Sequence, residues 1–449
     1  MARLICVNHL RHVRVALVAL VLAMPAVIGT ANAAHAVAPA QAVAWGDNSS
    51  GQFCDGTTTS RDLPVGTKLS QVTAVSAGEG QTLALAANGS VTACGSNGVG
   101  ELGDGTTTNS ATPVAVALPA GVRATAVSAG GGFSLALTAA GHVLAWGGNG
   151  SGQLGDGSTT NRTAPVFVKL PAGVRVTAIS AGGSSSLALT SAGQVLAWGT
   201  NLGDGTSNSS SVPVATKLPA NTGATAVAAG TDADYVLTST GSVLSWGIGS
   251  SGELGDGRTA NSTTPVSVSL PSGVTATGIA GAELGGYALT STGQVLAWGD
   301  GGFGQLGNGT TSTSTTPVSV SLPSGTSVRA LATSAGAQFC LALTSTGSVL
   351  GWGTNGNGEL GNGSTTESTT PTSVDLGGLP VAALAAGNQY ALAITGPPPR
   401  PYHPLTPARL ADTRSGSGEP DAGKTLGPGQ TLDVQVAGMG GVPASGASA

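Results

Sequence analysis

Charge is scarce in this chain. Only 8% of its 449 residues are Asp, Glu, Lys or Arg, and 21 acidic against 16 basic side chains leave a net charge of -5. That balance excludes a basic groove for nucleic acid. Histidine is rarer still: His9, His12, His35, His142 and His403 are all there are, and only His142 falls in the repeated region described below. No histidine triad and no multi-histidine metal site can be assembled there. His142 itself follows Ala139-Ala140-Gly141 in a hairpin turn and reads as a solvated residue. A Gly-x-Ser-x-Gly nucleophile elbow in a strand-to-helix turn is missing. Aromatics make up 3% of the chain. With so little titratable chemistry, the expectation is no enzyme, no cofactor and no metal.

What is plentiful is glycine, with 73 residues, and proline, with 24, a density incompatible with long helices or a coiled coil. At 40% hydrophobic the chain can still bury a large core, so an all-β protein is expected.

Arg3, Arg11 and Arg14 precede an apolar stretch from Val15 to Ile28, followed by the small-x-small sequence Ala31-Asn32-Ala33. This is the pattern of a signal peptide over residues 1–33, and the apolar stretch is too short to favour a membrane span. An uncleaved N-terminal anchor is the alternative. Residues 34–41 then form a leader, and the mature chain is expected to be secreted, extracellular or associated with the cell envelope, with no membrane insertion. Cys6 leaves with the signal, so Cys54, Cys94 and Cys340 remain.

The dominant feature is repetition. Trp45, Trp146, Trp198, Trp246, Trp298 and Trp352 are all followed by Gly, and Cys94-Gly95 occupies the missing place. Between Trp198 and Trp246 the interval is short because Asn201 runs directly into Leu202-Gly203, where the preceding unit inserts Gly150-Ser151-Gly152-Gln153. Proline recurs at Pro64, Pro113, Pro165, Pro213, Pro265, Pro317 and Pro371. Within one unit, strands are expected at Pro165 to Leu170, Val176 to Ala181, Ser186 to Thr190 and Gln194 to Trp198. The last two are apolar on both faces, so they must be covered on both sides. Four strands in such a unit make one blade of a β-propeller. The first unit opens on a Trp-Gly strand with nothing before it, and the last ends at Ala391-Leu392-Ala393-Ile394 with no Trp-Gly strand after it. Pairing these two ends closes a seven-bladed ring over residues 42–396 and buries two sheet edges. An open solenoid is the alternative.

The string Trp146-Gly147-Gly148-Asn149-Gly150-Ser151-Gly152-Gln153-Leu154-Gly155-Asp156-Gly157, with Pro165-Val166 downstream and Ser186-Leu187-Ala188-Leu189 before the next Trp-Gly, resembles the repeat of the regulator of chromosome condensation family. The resemblance spans residues 42–396 and implies a seven-bladed propeller. It includes eukaryotic nucleotide-exchange factors, a plant ultraviolet receptor and secreted bacterial inhibitors of β-lactamase. Where the exchange factors commonly carry histidine before Ser-Leu-Ala-Leu, this chain has Gln81, Phe133, Ser185, Ala233, Gly285, Phe339 and Tyr390. The receptor's Gly-Trp-Arg-His-Thr run is missing too. The secreted branch fits the leader best.

A Pro-rich linker, residues 397–404, precedes a change of composition. Residues 405–449, with Pro407-Ala408-Arg409-Leu410-Ala411-Asp412-Thr413-Arg414, are similar to the start of a β-rich module at the C-termini of exported actinobacterial proteins, and too short for a core of their own.

The tryptophans read as packing anchors, each contributing on the order of 2–3 kcal/mol by burial. Asp55, Asp104, Asp156, Asp204, Asp256, Asn308 and Asn362 share one repeat position and read as turn formers, with calcium binding by the carboxylates as the alternative, although no unit has the alternating acidic spacing of a calcium loop. Cys54 stands where other units have Gly and Cys94 where they have Trp, which makes the pair a candidate disulfide in an oxidising compartment, with two separate core thiols as the alternative. Departures from the repeat are the candidate contacts for a protein partner of unknown identity: Phe133, Phe339, Tyr390, Gln81, Asp232, Asp234 and Phe303, with Glu283 and Leu284 as further departures in the loops, and with inward packing of the three pre-strand aromatics as the alternative. The functional expectation is a monomeric, secreted, non-enzymatic scaffold for protein binding. A β-lactamase-inhibitor-like protein is the second reading and exchange-factor activity the last.

Overall fold

The computed structural model describes residues 41–396, which contain 28 β-strands and no helix among the described residues. The signal peptide, residues 34–40 of the leader, the linker and the C-terminal module lie outside them, whereas Gln41, read from sequence as the end of the leader, opens the first strand. The strands form seven four-stranded antiparallel sheets. Six are contiguous in sequence. Blade 1 spans residues 72–115, blade 2 124–167, blade 3 176–215, blade 4 224–267, blade 5 276–319 and blade 6 328–373.

Blade 7 is made from both ends. β1 (Gln41–Gly46) pairs antiparallel with β28 (Tyr390–Thr395), with Val43 opposite Ala393 and Trp45 opposite Ala391. The N-terminal strand thereby fills the third place of a sheet whose first two strands are C-terminal, which removes two edges that would otherwise template association.

Each blade runs outward from the axis, and its second and third strands are buried along nearly all their length, end to end in Ser185–Thr190 and Val195–Gly199. The outermost strand begins earlier than the sequence suggests, at Arg162 and not Pro165. Proline has no N–H for the ladder, so it is confined to this edge strand. Around it the register slips, for example between Arg162 opposite Gly147 and Val166 opposite Ala145. The same slip recurs in all seven blades. An irregular, proline-bearing edge discourages pairing with another chain.

Seven apolar clusters occupy the seams between neighbouring blades. At six seams an indole from one blade lies on a left-handed glycine of the preceding blade's long loop. Trp146 covers Gly103, and the same contact pairs Trp198 with Gly155, Trp246 with Gly203, Trp298 with Gly255, Trp352 with Gly307 and Trp45 with Gly361. Each indole N–H donates to a buried carbonyl in that loop, as from Trp146 to Glu101 O at 2.8 Å and from Trp45 to Glu359 O at 2.7 Å. At the remaining seam Cys54 and Cys94 are joined as a disulfide. Cys340 is a buried free thiol.

Candidate protein-binding face

Asp55, Asp104, Asp156, Asp204 and Asp256 each accept the backbone N–H of the residue two ahead through Oδ1, at 2.8–3.0 Å. Asn308 and Asn362 make the same bond with a neutral amide oxygen. Charge is therefore incidental to the turn, and calcium is expected to leave the melting temperature unchanged. A calcium-dependent rise would assign these carboxylates a cation. Only Asp156 has a further ionic partner, with Arg162 at 2.6 Å, and the hydrogen bonds and charge of Ser158 and Arg162 outweigh its desolvation to hold its carboxyl below the usual range.

The departures from the repeat fall into two groups. Phe133, Phe339 and Tyr390 are completely buried, and the expectation that they line a rim is corrected in favour of packing between blades. Their position opens a strand covered on both faces, so its side chain points into a seam. Phe133 packs with Trp198, Phe339 with Trp45, and Tyr390 with Phe53, Cys54 and Cys94. Gln81 is buried as well, its amide donating to Gly130 O and Phe133 O. Asp234 is buried against Ser185, whose hydroxyl donates to Oδ1 at 2.9 Å. None of these can meet a partner.

Asp232 and Phe303 remain accessible, Phe303 at 42% exposure. Both lie on the face where the turn between first and second strands meets the long loop after each Trp-Gly. The turns hold one another by backbone bonds around the mouth of the central channel: Glu79 N–H to Gly130 O, Gly131 to Gly182, Gly183 to Gly230, Thr231 to Ala282, Glu283 to Ala337 and Asn388 to Gly78. In blade 6 the turn is longer, and Ala335 reaches across to accept the Thr231 hydroxyl at 2.6 Å. Beneath this turn the channel holds a cavity of about 270 Å³ lined by small side chains, Ser76, Ser128 and Ser180 among them.

Three carboxylates surround that mouth. Burial pushes Glu79 and Asp232 above the usual carboxylate range. Glu283 is raised by burial and also by repulsion from Asp232, Glu79 and Asp300, against one lowering hydrogen bond from Gln338. No lysine or arginine contributes to any of the three. The arginines of the inner strands sit by the opposite hairpin turns, Arg123 on the Asn88 carbonyl and Arg329 on Thr344 O and Val381 O. The long loops add Asp47 and Asp300 to the acidic face, held by Gln52 and Gln305 amides at 2.7 and 2.8 Å.

Sequence reasoning missed Glu79, although its signal is visible: Gly78-Glu79 stands where sister units read Gly130-Gly131 and Gly182-Gly183. It also passed over Asn48, Asn97, Asn149 and Asn355, the buried hubs of the long loops. Each side-chain oxygen accepts a backbone N–H five residues on at 2.9 Å, while the amide nitrogen donates to carbonyls farther along the loop.

The sequence model of the RCC1-like domain matches residues 41–393. The chain is 30% identical over 355 residues to the ultraviolet-B receptor UVR8 of Arabidopsis thaliana, covering 76% of this chain and 80% of that one. It is 33% identical over 277 residues to the human E3 ubiquitin-protein ligase HERC2, covering 61% of this chain but only 5% of that much longer protein. Yeast RCC1 (Prp20), solved bound to Kap60, superposes with a TM-score of 0.71 at 18% identity over 84% of this chain and 96% of that one. Human WBSCR16 gives a TM-score of 0.71 at 22% identity, over 80% of this chain and all of the other. The chain belongs to the family of RCC1-like domain proteins, with the seven-bladed propeller as its shared scaffold.

Proposed function

We propose that this ring is an exported, non-enzymatic scaffold that binds a protein partner through its acidic mouth, and that the partner presents a cluster of lysine or arginine. The observation that carries the reading is the convergence of Glu79, Asp232 and Glu283 on one opening with no basic side chain among them. Repetition is demanded by the fold, whereas these charges replace residues the fold does not need. Unpaired like charges held close raise one another's energy, and a cationic surface relieves that cost. The disulfide and the N-terminal leader both favour an oxidising destination. The inhibitor-like reading has less support, since the aromatics it would use as anchors are mostly buried.

The test is capture from culture supernatant and cell envelope by the immobilised full chain and by its Glu79→Gln, Asp232→Asn, Glu283→Gln triple variant. A bound protein should lose affinity roughly tenfold with the variant, at less than about 1 kcal/mol per rim charge, and should also weaken with added salt. Equal binding by both forms would remove the acidic mouth from the interface.

A further inference from the structure

Six seams are held by an indole on a glycine, and in each of them a Cβ added to that glycine would come within 2.7–3.0 Å of the ring. Any side chain there requires the indole to be gone. At the seam between blades 7 and 1 both members have changed together: Cys54 keeps the left-handed backbone of the glycine, with φ 56°, and Cys94 has replaced the indole. Either change alone fails, because Cys54 against a tryptophan would collide and Cys94 against a glycine would leave a hole.

The neighbours have adjusted to the swap. Phe53 stands where the other long loops place Leu102, Leu154, Leu202, Leu254, Leu306 and Leu360, and it is fully buried in the seam. Gln52 O, the counterpart of the carbonyls that accept an indole N–H in the other seams, has lost that donor and keeps only the hydroxyl bond, from Thr82 at 2.7 Å, that Ser134 and Ser186 make to Glu101 O and Gln153 O beside the indole. The seam is therefore built around a covalent bond in place of a packed ring.

We propose that this bond is a redox-sensitive latch: the seam between blades 7 and 1 is closed while Cys54 and Cys94 are oxidised and becomes the weakest in the ring once they are reduced. Blade 7 is itself assembled from the two ends of the ring, so this latch secures the one blade whose strands are not consecutive in sequence. Opening needs a dithiol reductant. Both cysteines are fully buried, so exchange follows a transient opening of the seam: the reductant's thiolate then attacks one sulfur to form a mixed disulfide, and its second thiol closes to a cyclic disulfide, so that two electrons and two protons end on Cys54 and Cys94. Cys340, buried in another cluster and with its thiol pushed up by burial, stays outside this exchange. The inference does not depend on the nature of the partner.

The experiment compares melting of the full chain before and after treatment with dithiothreitol, with thiol titration to verify that the bridge has opened. Reduction should lower the midpoint by on the order of 5–10 °C. The Phe53→Leu, Cys54→Gly, Cys94→Trp variant, which restores the arrangement of the other seams, should melt near the oxidised protein and ignore dithiothreitol. An unchanged midpoint after complete reduction would overturn the latch, as would equal sensitivity in the variant. If the variant does not fold, hydrogen exchange on the natural chain decides: loss of protection on reduction confined to residues 46–54 and 81–95 supports the latch, and uniform or absent loss refutes it.

Discussion

Replacing Phe133, Phe339 and Tyr390 together by alanine is expected to leave no cooperatively folded ring. The three occupy different seams and none has any exposed surface. Truncating a buried phenyl costs about 3–5 kcal/mol in lost transfer energy and residual cavity. Separate sites add, and three such losses approach or exceed the roughly 5–15 kcal/mol that stabilises a typical fold. Tyr390 carries a further cost, because its hydroxyl donates to Gln81 O at 2.6 Å. With the ring removed, that buried carbonyl on blade 1 loses a donor. Each single variant should melt well below the natural chain by circular dichroism, and the triple variant should show no unfolding transition. A triple variant that melts within a few degrees of the natural chain, having lost only partner capture, would return these aromatics to the surface.

The misplacement of these aromatics in the sequence reading has a physical origin. Period-two alternation separates inside from outside only when one sheet face meets water. In Phe133–Thr138 and five of its six relatives every residue is buried, so the sequence pattern carries no polarity. Blade number, order and closure were legible for the opposite reason. Trp-Gly and the edge proline each serve one backbone position per unit, and the two ends of the repeated region each lack the strand that the other carries. The Gly-to-Cys and Trp-to-Cys exchanges could be aligned by counting, because the period is nearly constant. The acidic mouth was only half legible. Asp232 and Glu283 depart visibly from their neighbours, whereas their convergence with Glu79 depends on turns up to about 200 residues apart in sequence being brought around one axis. The long turn of blade 6 shows only as a slightly wider interval between Trp298 and Trp352.

Asp234 should be the residue whose removal stabilises the ring most, with a gain that grows as pH rises. It occupies a place held elsewhere by Thr82, Ser134, Ser186, Gly286, Cys340 and Ala391, none of them acidic. It is wholly buried, one oxygen accepts from Ser185, and the other has no hydrogen-bond partner. Burial is the main cause of its shift and lifts the carboxyl well above the usual range, against smaller lowering contributions from Ser185 and Gly230. A raised folded-state pKa means that folding favours the protonated form. The stability this contributes is fully present below the unfolded-state value near pH 4, and it is lost as pH rises through the folded-state value. Above that point the ring holds an unpaired buried charge. Asp234→Ser restores the residue of blades 2 and 3, where Ser134 and Ser186 donate to loop carbonyls at 3.0 and 2.8 Å. Removing the buried acid should gain roughly 1–3 kcal/mol near neutral pH, offset in part by the Ser185 hydroxyl losing its acceptor. Urea unfolding of both forms at pH 4, 6 and 8 measures the difference directly. It should be small or reversed at pH 4, where the natural chain keeps its neutral carboxyl and its bond to Ser185, and largest at pH 8. A difference that stayed constant across this range would mean that folding does not shift the titration of Asp234. A variant less stable at every pH would mean that the bond from Ser185 outweighs the cost of burying the acid.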